Sequence, residues 1–133
     1  MSNSELAPGL KGHIETEVTD HDLACALGSG DVTVLGTPRM IALAEAATVQ
    51  AIASALAEGQ TSVGTRVDVR HLAASPKGSN IKAIAELFEV NGKALKFNIA
   101  VHDDYGLVAD GTVERFVVDR AKFTERAHLP RKS

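Results

Sequence analysis

The 133-residue sequence contains a single cysteine, Cys25. One cysteine cannot form a disulfide within the chain, nor can it build a zinc site from several cysteines, so a reducing compartment is expected. The five histidines are scattered, without HExxH or another metal-ligand spacing. We therefore expect no metal and no cofactor, and interpret His102 with the two aspartates after it as a polar turn.

An excess of positive charge is also missing. The formal net charge is −3, and no long run of lysine or arginine occurs, which argues against nucleic acid as a partner. The longest apolar region, residues 40–56, is interrupted by polar residues, which argues against a membrane span. Residues 1–12 lack a basic segment followed by a hydrophobic stretch, so no secretory signal is expected. Together these features predict a soluble, cytoplasmic protein.

One long helix is the clearest element of the sequence. Thr37 is a suitable N-cap and Pro38 a suitable first helical residue, and a run rich in alanine, leucine and glutamate follows until Gly59. These signals predict a helix from Pro38 to about Glu58. Because this helix is apolar around most of its circumference, it is expected to be wrapped by other structure.

Alternating patterns predict antiparallel strands around that helix. One alternating segment, Leu10–Val18, precedes the helix, with a short helical run at 21–27 after it. After the helix, strands are expected over about 63–74, 81–90, 95–101 and 107–119, with an Asn-Gly hairpin turn at 91–92, a bulge or bend at Gly111 and a charged tail after residue 119. The fold class is therefore α+β, a single domain in which a curved antiparallel sheet wraps a long central helix, the hotdog arrangement.

Two side chains stand out against this apolar background. Glu45 lies in the middle of the long helix, where a carboxylate is costly unless it is hydrogen-bonded or catalytic, although it could also mark a solvated edge. His71 shares its parity with Val63, Thr65, Val67 and Val69, so it should face the helix and could act as a general base or be a satisfied core residue.

Three further residues have both structural and functional interpretations. Thr37 is a helix cap first, although the amides of that helix start could also hold a substrate carbonyl as it becomes an oxyanion. Gly64 permits the close approach of a ligand or simply begins a strand. Arg115 could bind a phosphate or pair with a carboxylate, and the ion pair is favoured.

The sequence resembles the fluoroacetyl-CoA thioesterase-like family of hotdog thioesterases over about residues 9–123, with 124–133 left as the tail. Three segments carry the resemblance: Gly36-Thr37-Pro38 with the Leu43–Ala47 run, the Val63–His71 strand, and Gly111–Arg115. The resemblance implies a homodimer, with a tetramer left open, and a catalytic set of Thr37, Glu45 and His71. It also implies that Gly64, Gly36 and Arg115 bind the substrate, Arg115 at its CoA portion, and that His71 of one subunit faces Thr37 and Glu45 of the other.

Enzymes of this family that are specific for fluoroacetyl-CoA carry phenylalanines in a lid before the threonine segment. Here the corresponding residues 26–32 are glycine-rich and contain no aromatic residue. The resemblance therefore implies hydrolysis of another short or medium acyl-CoA. The alternatives are a non-catalytic hotdog protein that binds acyl-CoA or another hydrophobic ligand, and, ranked behind it, an enoyl-thioester hydratase.

Overall fold

The protein is described by a computed structural model over residues 5–131. In chain order, its elements are β1 (Lys11–Glu17), a 3-10 turn (Asp20–Asp22), α1 (Ala24–Leu27), α2 (Thr37–Ile52), a second 3-10 turn (Ala53–Ala55), β2 (Gln60–His71), β3 (Asn80–Asn91), β4 (Ala94–Asp103), β5 (Gly106–Asp119) and α3 (Arg120–Arg126).

The five strands form one antiparallel sheet in the order β1-β3-β4-β5-β2. The predicted combination of a long helix with an antiparallel sheet is confirmed. All five predicted strands are present, and the predicted hairpin joins β3 and β4. Asn91 ends β3 and pairs with Ala94, so the turn residues are Gly92, with a φ of 63°, and Lys93. Within the sheet, β1 and β2 are the two edge strands. β2 therefore presents one side of a 12-residue strand without a partner strand from the described chain.

Small residues allow α2 to pack closely on the sheet. Ala44 and Ala47 of the helix and Ala83 and Ala85 of β3 are all fully buried. Gly12 of β1 lies so close to the helix that a Cβ atom there would contact the helix backbone, 2.5 Å from the amide nitrogen of Ala51. The core is therefore formed between α2 and the concave side of the sheet.

The sheet covers one face of α2 and leaves the opposite face open within the single chain. The buried residues of α2 are Met40, Leu43, Ala44, Ala47, Thr48, Ala51 and Ile52. Along the opposite face, Ala42 and Val49 are exposed, and Glu45 and Ala46 between them are only half-buried. An apolar stripe with one carboxylate is thus left open to solvent.

The helix also ends earlier than the predicted Glu58. Ile52 leaves helical geometry at a φ of −113°, and a 3-10 turn follows. The chain then reverses toward β2 in a turn closed by two hydrogen bonds between Ala57 and Gln60: the Gln60 amide donates to the Ala57 carbonyl, and the Ala57 amide donates to Gln60 Oε1. The prediction placed the end of the helix too late, because helix propensity contains no information about these turn contacts.

A bulge in β2 overturns part of the predicted strand pattern. Gly64 pairs with Arg115, but Arg66 pairs with Glu114, so Thr65 is an extra residue. This insertion reverses the alternation. Gly64 therefore shares the helix-facing side with Val67 and His71, whereas the unbroken parity had placed Val63 and Thr65 on that side.

Two smaller expectations also need correction. Gly111 is not a register bulge, because it pairs regularly with Val69 and Ile99; its φ of 151° and the contact that a Cβ would make with the Asp68 carbonyl oxygen explain the glycine. The charged tail contains α3, whose first amides are capped by Asp119, with Oδ1 accepting from the Lys122 amide at 2.9 Å. Tail residues 132 and 133 lie outside the described range.

Within residues 5–131, no helix combines the length and apolarity needed to cross a membrane.

Candidate active site

Thr37 and His71 form a hydrogen-bonded pair at the start of α2. Thr37 Oγ1 lies 2.8 Å from His71 Nδ1. The N-cap residue is Gly36, not Thr37, and the threonine side chain makes no capping bond to the helix backbone. The predicted capping role of Thr37 is therefore wrong, and its hydroxyl is available to the histidine instead.

The environment of His71 favours its neutral form. Burial lowers the pKa of His71, and the nearby polar backbone of Ala73 only partly opposes this effect. Nε2 is buried and makes no hydrogen bond within the described chain. With the ring proton on Nε2, Nδ1 accepts the Thr37 hydroxyl proton, which is the arrangement of a nucleophile, or a water-positioning group, with its general base.

Gly36 lies underneath this pair and packs against α1. A Cβ atom at Gly36 would lie 2.8 Å from Leu27 Cδ1 and 3.1 Å from the Cα of Ala24. The Gly36 amide donates to the carbonyl of Asp22 at 2.8 Å. Gly36 is buried and thereby lets α1 approach the helix start; the structure gives it no open contact surface of its own.

A buried carboxylate that the sequence analysis missed holds this helix start in place. Asp22 Oδ1 accepts from Arg39 Nε at 2.9 Å, and its Oδ2 accepts from the amide and hydroxyl of Thr19 at 2.7 and 3.0 Å. Burial raises the pKa of Asp22, but the hydrogen bonds from Thr19 and Arg39 outweigh this effect and the pKa is lowered overall. The Thr-x-x-Asp spacing at 19–22 was the available signal for this clamp.

A cleft of about 290 Å³ opens beside the Thr37–His71 pair. Its apolar lining includes Val32, Val34 and Leu35. Ser29 and Gly30, from the glycine-rich segment, form another part of the wall. No aromatic side chain lines the cleft, in agreement with the sequence of residues 26–32.

A second group of functional candidates surrounds Glu45. Arg115 Nη1 lies 3.5 Å from Glu45 Oε2, while its Nε and Nη2 donate to the hydroxyl and carbonyl oxygens of Ser62 at 2.8 and 3.0 Å. The Arg115 side chain is 8% exposed and that of Glu45 is 35% exposed. Burial lowers the pKa of Arg115, partly offset by the charge of Glu45. The ion-pair interpretation of Arg115 fits this geometry, and Ser62 is a participant that the sequence pattern did not reveal.

Gly64 completes this second group. A Cβ atom on Gly64 would lie 2.6 Å from Glu45 Oε2 and 3.6 Å from Arg115 Nη1. Only a residue without a side chain leaves room for the carboxylate in this position. The bulge at Thr65 is what turns Gly64 toward the helix.

The two groups are separate within one chain. Thr37 and Glu45 are eight residues apart on α2, which is about 12 Å along the helix axis. The expectation that His71 faces Thr37 of another subunit is corrected, because the pair forms within the chain. Among residues 5–131, no cluster of three or more histidine, cysteine or acidic side chains has a geometry suited to a metal ion.

Comparisons with known proteins identify the family. The sequence model of the fluoroacetyl-CoA-specific thioesterase family matches residues 18–121. A fluoroacetyl-CoA thioesterase from Streptantibioticus cattleyicolor is 38% identical over 93 residues, which cover 70% of this chain and 67% of that protein.

Solved structures agree with the sequence comparison. The fluoroacetyl-CoA thioesterase FlK superposes with a TM-score of 0.87 at 30% identity, over 96% of this chain and 100% of that chain. A thioesterase superfamily member from Thermus thermophilus superposes with a TM-score of 0.83 at 26% identity, over 90% of this chain and 88% of that one. The chain belongs to the family of fluoroacetyl-CoA-specific thioesterases and is a thioester hydrolase with the hotdog fold.

Proposed function

We propose that this protein hydrolyses a short or medium acyl-CoA to the free acid and CoA. The observation that carries the proposal is the 2.8 Å contact between Thr37 Oγ1 and a neutral His71 at a helix start. The adjoining cleft of about 290 Å³ lies just below the roughly 300–1,000 Å³ range of ligand pockets, which suits a small acyl group.

In the proposed reaction, the thioester carbonyl binds at the start of α2. The amides of Thr37 and Arg39 make no hydrogen bond within the described chain, and they lie at the positive end of the helix dipole. They would stabilise negative charge on the carbonyl oxygen. Thr37, or a water that it positions, attacks the carbonyl carbon while His71 takes the proton. The C–S bond then breaks, and the proton passes to the departing CoA thiolate. When water is the nucleophile, this step releases the free acid. When Thr37 is the nucleophile, it leaves an acyl ester on Thr37, which a water activated by His71 hydrolyses to the free acid and the free hydroxyl.

In the proposed mechanism, Glu45 of one subunit assists the Thr37–His71 pair of a second subunit. A catalytic carboxylate must come within about 3 Å of the groups that it assists, whereas Glu45 and Thr37 of one chain are separated by about 12 Å of helix. Antiparallel pairing of two β2 edges would reverse one chain relative to the other. The Gly64 end of one strand would then lie beside the His71 end of its partner.

Features of the single chain support such a homodimer. Val67, midway between Gly64 and His71, faces the helix side of β2 yet is 39% exposed, and Val49 on the open face of α2 is 47% exposed. Exposed apolar residues beside an unpaired strand edge are typical of an interface. We propose that each site combines Thr37 and His71 of one subunit with Glu45 and Gly64 of the other. The cytoplasmic location and the tetramer remain predictions.

The function is tested by measuring free-thiol release from a panel of acyl-CoAs of increasing chain length. The wild type should turn over one or more short or medium esters, and His71→Ala should lower kcat by about 10²- to 10⁴-fold, the usual contribution of a general base. His102→Ala, a change at an exposed histidine of β4, is the matched control and should behave as wild type. CoA binding without turnover of any ester would favour the non-catalytic alternative, and full activity of His71→Ala would refute the site.

A further inference from the structure

A second cavity, which we call the C-terminal cavity, shares no lining residue with the cleft beside the Thr37–His71 pair. It has a volume of about 240 Å³ and is formed where the end of β5 meets α3 and the turn between β3 and β4. Three basic residues, Lys93, Lys122 and Arg126, line it together with two phenylalanines. The Val117 amide donates to the Lys93 carbonyl at 2.9 Å, which holds the turn against β5.

The basic residues of this cavity are uncompensated. Elsewhere in the described chain, seven lysines and arginines lie within 4.0 Å of a carboxylate: Arg39, Arg66, Arg70, Lys77, Lys82, Lys96 and Arg115. Lys93, Lys122 and Arg126 have no such partner among residues 5–131, and all three are exposed. The one carboxylate in the lining, Asp119, already accepts the Lys122 amide as a helix cap. The cavity therefore carries an excess of positive charge that suits an anion.

Two exposed aromatic rings accompany this charge. Phe116 is 42% exposed and Phe123 is 40% exposed, and both line the cavity. Aromatic faces beside lysine and arginine are the combination that binds a nucleotide, because the base stacks on the ring while the cations contact the phosphates. The volume is smaller than that of a pocket enclosing a whole ligand, so it suits one end of a long molecule.

We propose that the C-terminal cavity binds the phosphorylated adenosine end of the acyl-CoA substrate. This inference rests on the proposed function, since CoA supplies both an adenine ring and several phosphates. Arg115, which the family resemblance had assigned to the CoA portion, has its guanidinium buried against Glu45 and Ser62. Other basic residues are therefore the candidates for contacting the phosphates of CoA.

The position of the cavity fits a substrate that reaches Glu45. Phe116 follows Arg115 in β5 and pairs with Val63, the residue before Gly64. Because strand residues alternate, Arg115 faces α2 and Phe116 faces the other side of the sheet. From Gly64 to the beginning of β2 at Gln60 is about 13 Å of strand. The flexible pantetheine arm would cover this distance and pass around the strand ends to the cavity.

The proposal is tested first by calorimetric titration with adenosine 3′,5′-bisphosphate, which needs no turnover. Lys122→Glu should raise the Kd about tenfold or more through loss of a charge-assisted phosphate contact. Lys11→Glu is the matched control, because Lys11 of β1 is also exposed and has no ion pair within the described residues; it should change the Kd less than about twofold. Phe123→Ala should also weaken binding. Equal Kd values for Lys122→Glu and Lys11→Glu, or no binding to the wild type, would overturn the proposal.

A kinetic comparison then tests whether the nucleotide bound in the cavity is the adenosine end of the acyl-CoA substrate or a free nucleotide. Acyl-CoA and the matching acyl-pantetheine share the reacting thioester but differ in the adenosine end. Lys122→Glu should raise KM for acyl-CoA about tenfold while changing KM for acyl-pantetheine less than about twofold. Loss of nucleotide binding with an unchanged KM for acyl-CoA would assign the cavity to a free nucleotide and refute the proposal. If the wild type binds the nucleotide but hydrolyses neither ester, the proposed function fails instead.

Discussion

At the scale of single residues, the site depends on a threonine that is released from helix capping. Gly36 takes the N-cap position, so Thr37 can donate its hydroxyl proton to His71. The fixed distance of 2.8 Å places the two groups within hydrogen-bond reach before any substrate binds. The clamp of Asp22 by Thr19 and Arg39 fixes the helix start, and thereby fixes Thr37.

The lowered pKa of His71 predicts the pH dependence of the reaction. A base with a lowered pKa stays unprotonated to lower pH, so the acid limb of kcat/KM should have an apparent pKa below the ordinary histidine value of 6.5. The measurement is a pH profile of thiol release, with His102→Gln as a control that leaves the limb in place. An acid limb at or above 6.5 in the wild type would contradict this account.

The lowered pKa of His71 also makes the free energy of unfolding depend on pH. Between the folded pKa of His71 and 6.5, the unfolded chain binds more protons than the folded chain, so stability rises with pH there. The contribution of neutral His71 to the stability of the fold is fully present above about pH 6.5. It is lost as the pH falls through the lowered pKa of His71.

Residue-level chemistry was only partly predictable from the sequence. Glu45 and His71 were visible because each interrupts an apolar pattern. The bond between Thr37 and His71 was assigned to the wrong pair of chains, because the sequence does not specify which strand end lies over the helix start. Ser62 was missed because its partner Arg115 lies 53 residues away. The bond from Arg39 to Asp22 spans 17 residues and was equally invisible, although the Thr-x-x-Asp spacing at 19–22 was a local signal for Asp22.

At the scale of elements, the bulge in β2 decides which residues face the helix. Periodicity alone placed Val63 and Thr65 beside His71, and this was wrong by one residue. Such an insertion is defined only by the pairing of β2 with β5, so no pattern within β2 itself could reveal it. The helix and the strands were predictable because each depends on local propensity and alternation.

Two glycines that face α2 should respond differently to alanine. At Gly64, the new Cβ would meet the end of a flexible side chain, Glu45 Oε2 at 2.6 Å, so Gly64→Ala should displace the carboxylate and lower kcat about tenfold or more. At Gly12, the Cβ would meet the helix backbone, so Gly12→Ala should destabilise the fold by about 1–3 kcal/mol through overpacking.

Thermal unfolding and steady-state kinetics of the two variants check this contrast. We expect Gly64→Ala to melt within about 2 °C of the wild type, whereas Gly12→Ala should show the larger loss of Tm. A Gly64→Ala protein with wild-type kcat would mean that the position of Glu45 does not matter to the reaction.

At the scale of the whole molecule, the single chain keeps the two residue groups of the proposed site apart. The Thr37–His71 pair and the group of Glu45, Gly64 and Arg115 lie at different places along α2 and β2. The open face of α2 and the unpaired edge of β2 are the surfaces that a second copy would cover. The length of the chain already favoured such pairing, because a small domain gains stability by burying more apolar surface.

The most direct test of this account is subunit complementation between two inactive variants, His71→Ala and Glu45→Gln. Both variants should lack thiol-release activity alone. After they are unfolded together and refolded, about half of the dimers should be mixed, and each mixed dimer should contain one intact site, so about one quarter of wild-type activity should return. If His71 and Glu45 act within the same chain, every chain in the mixture is defective, and the absence of any recovered activity would contradict the account.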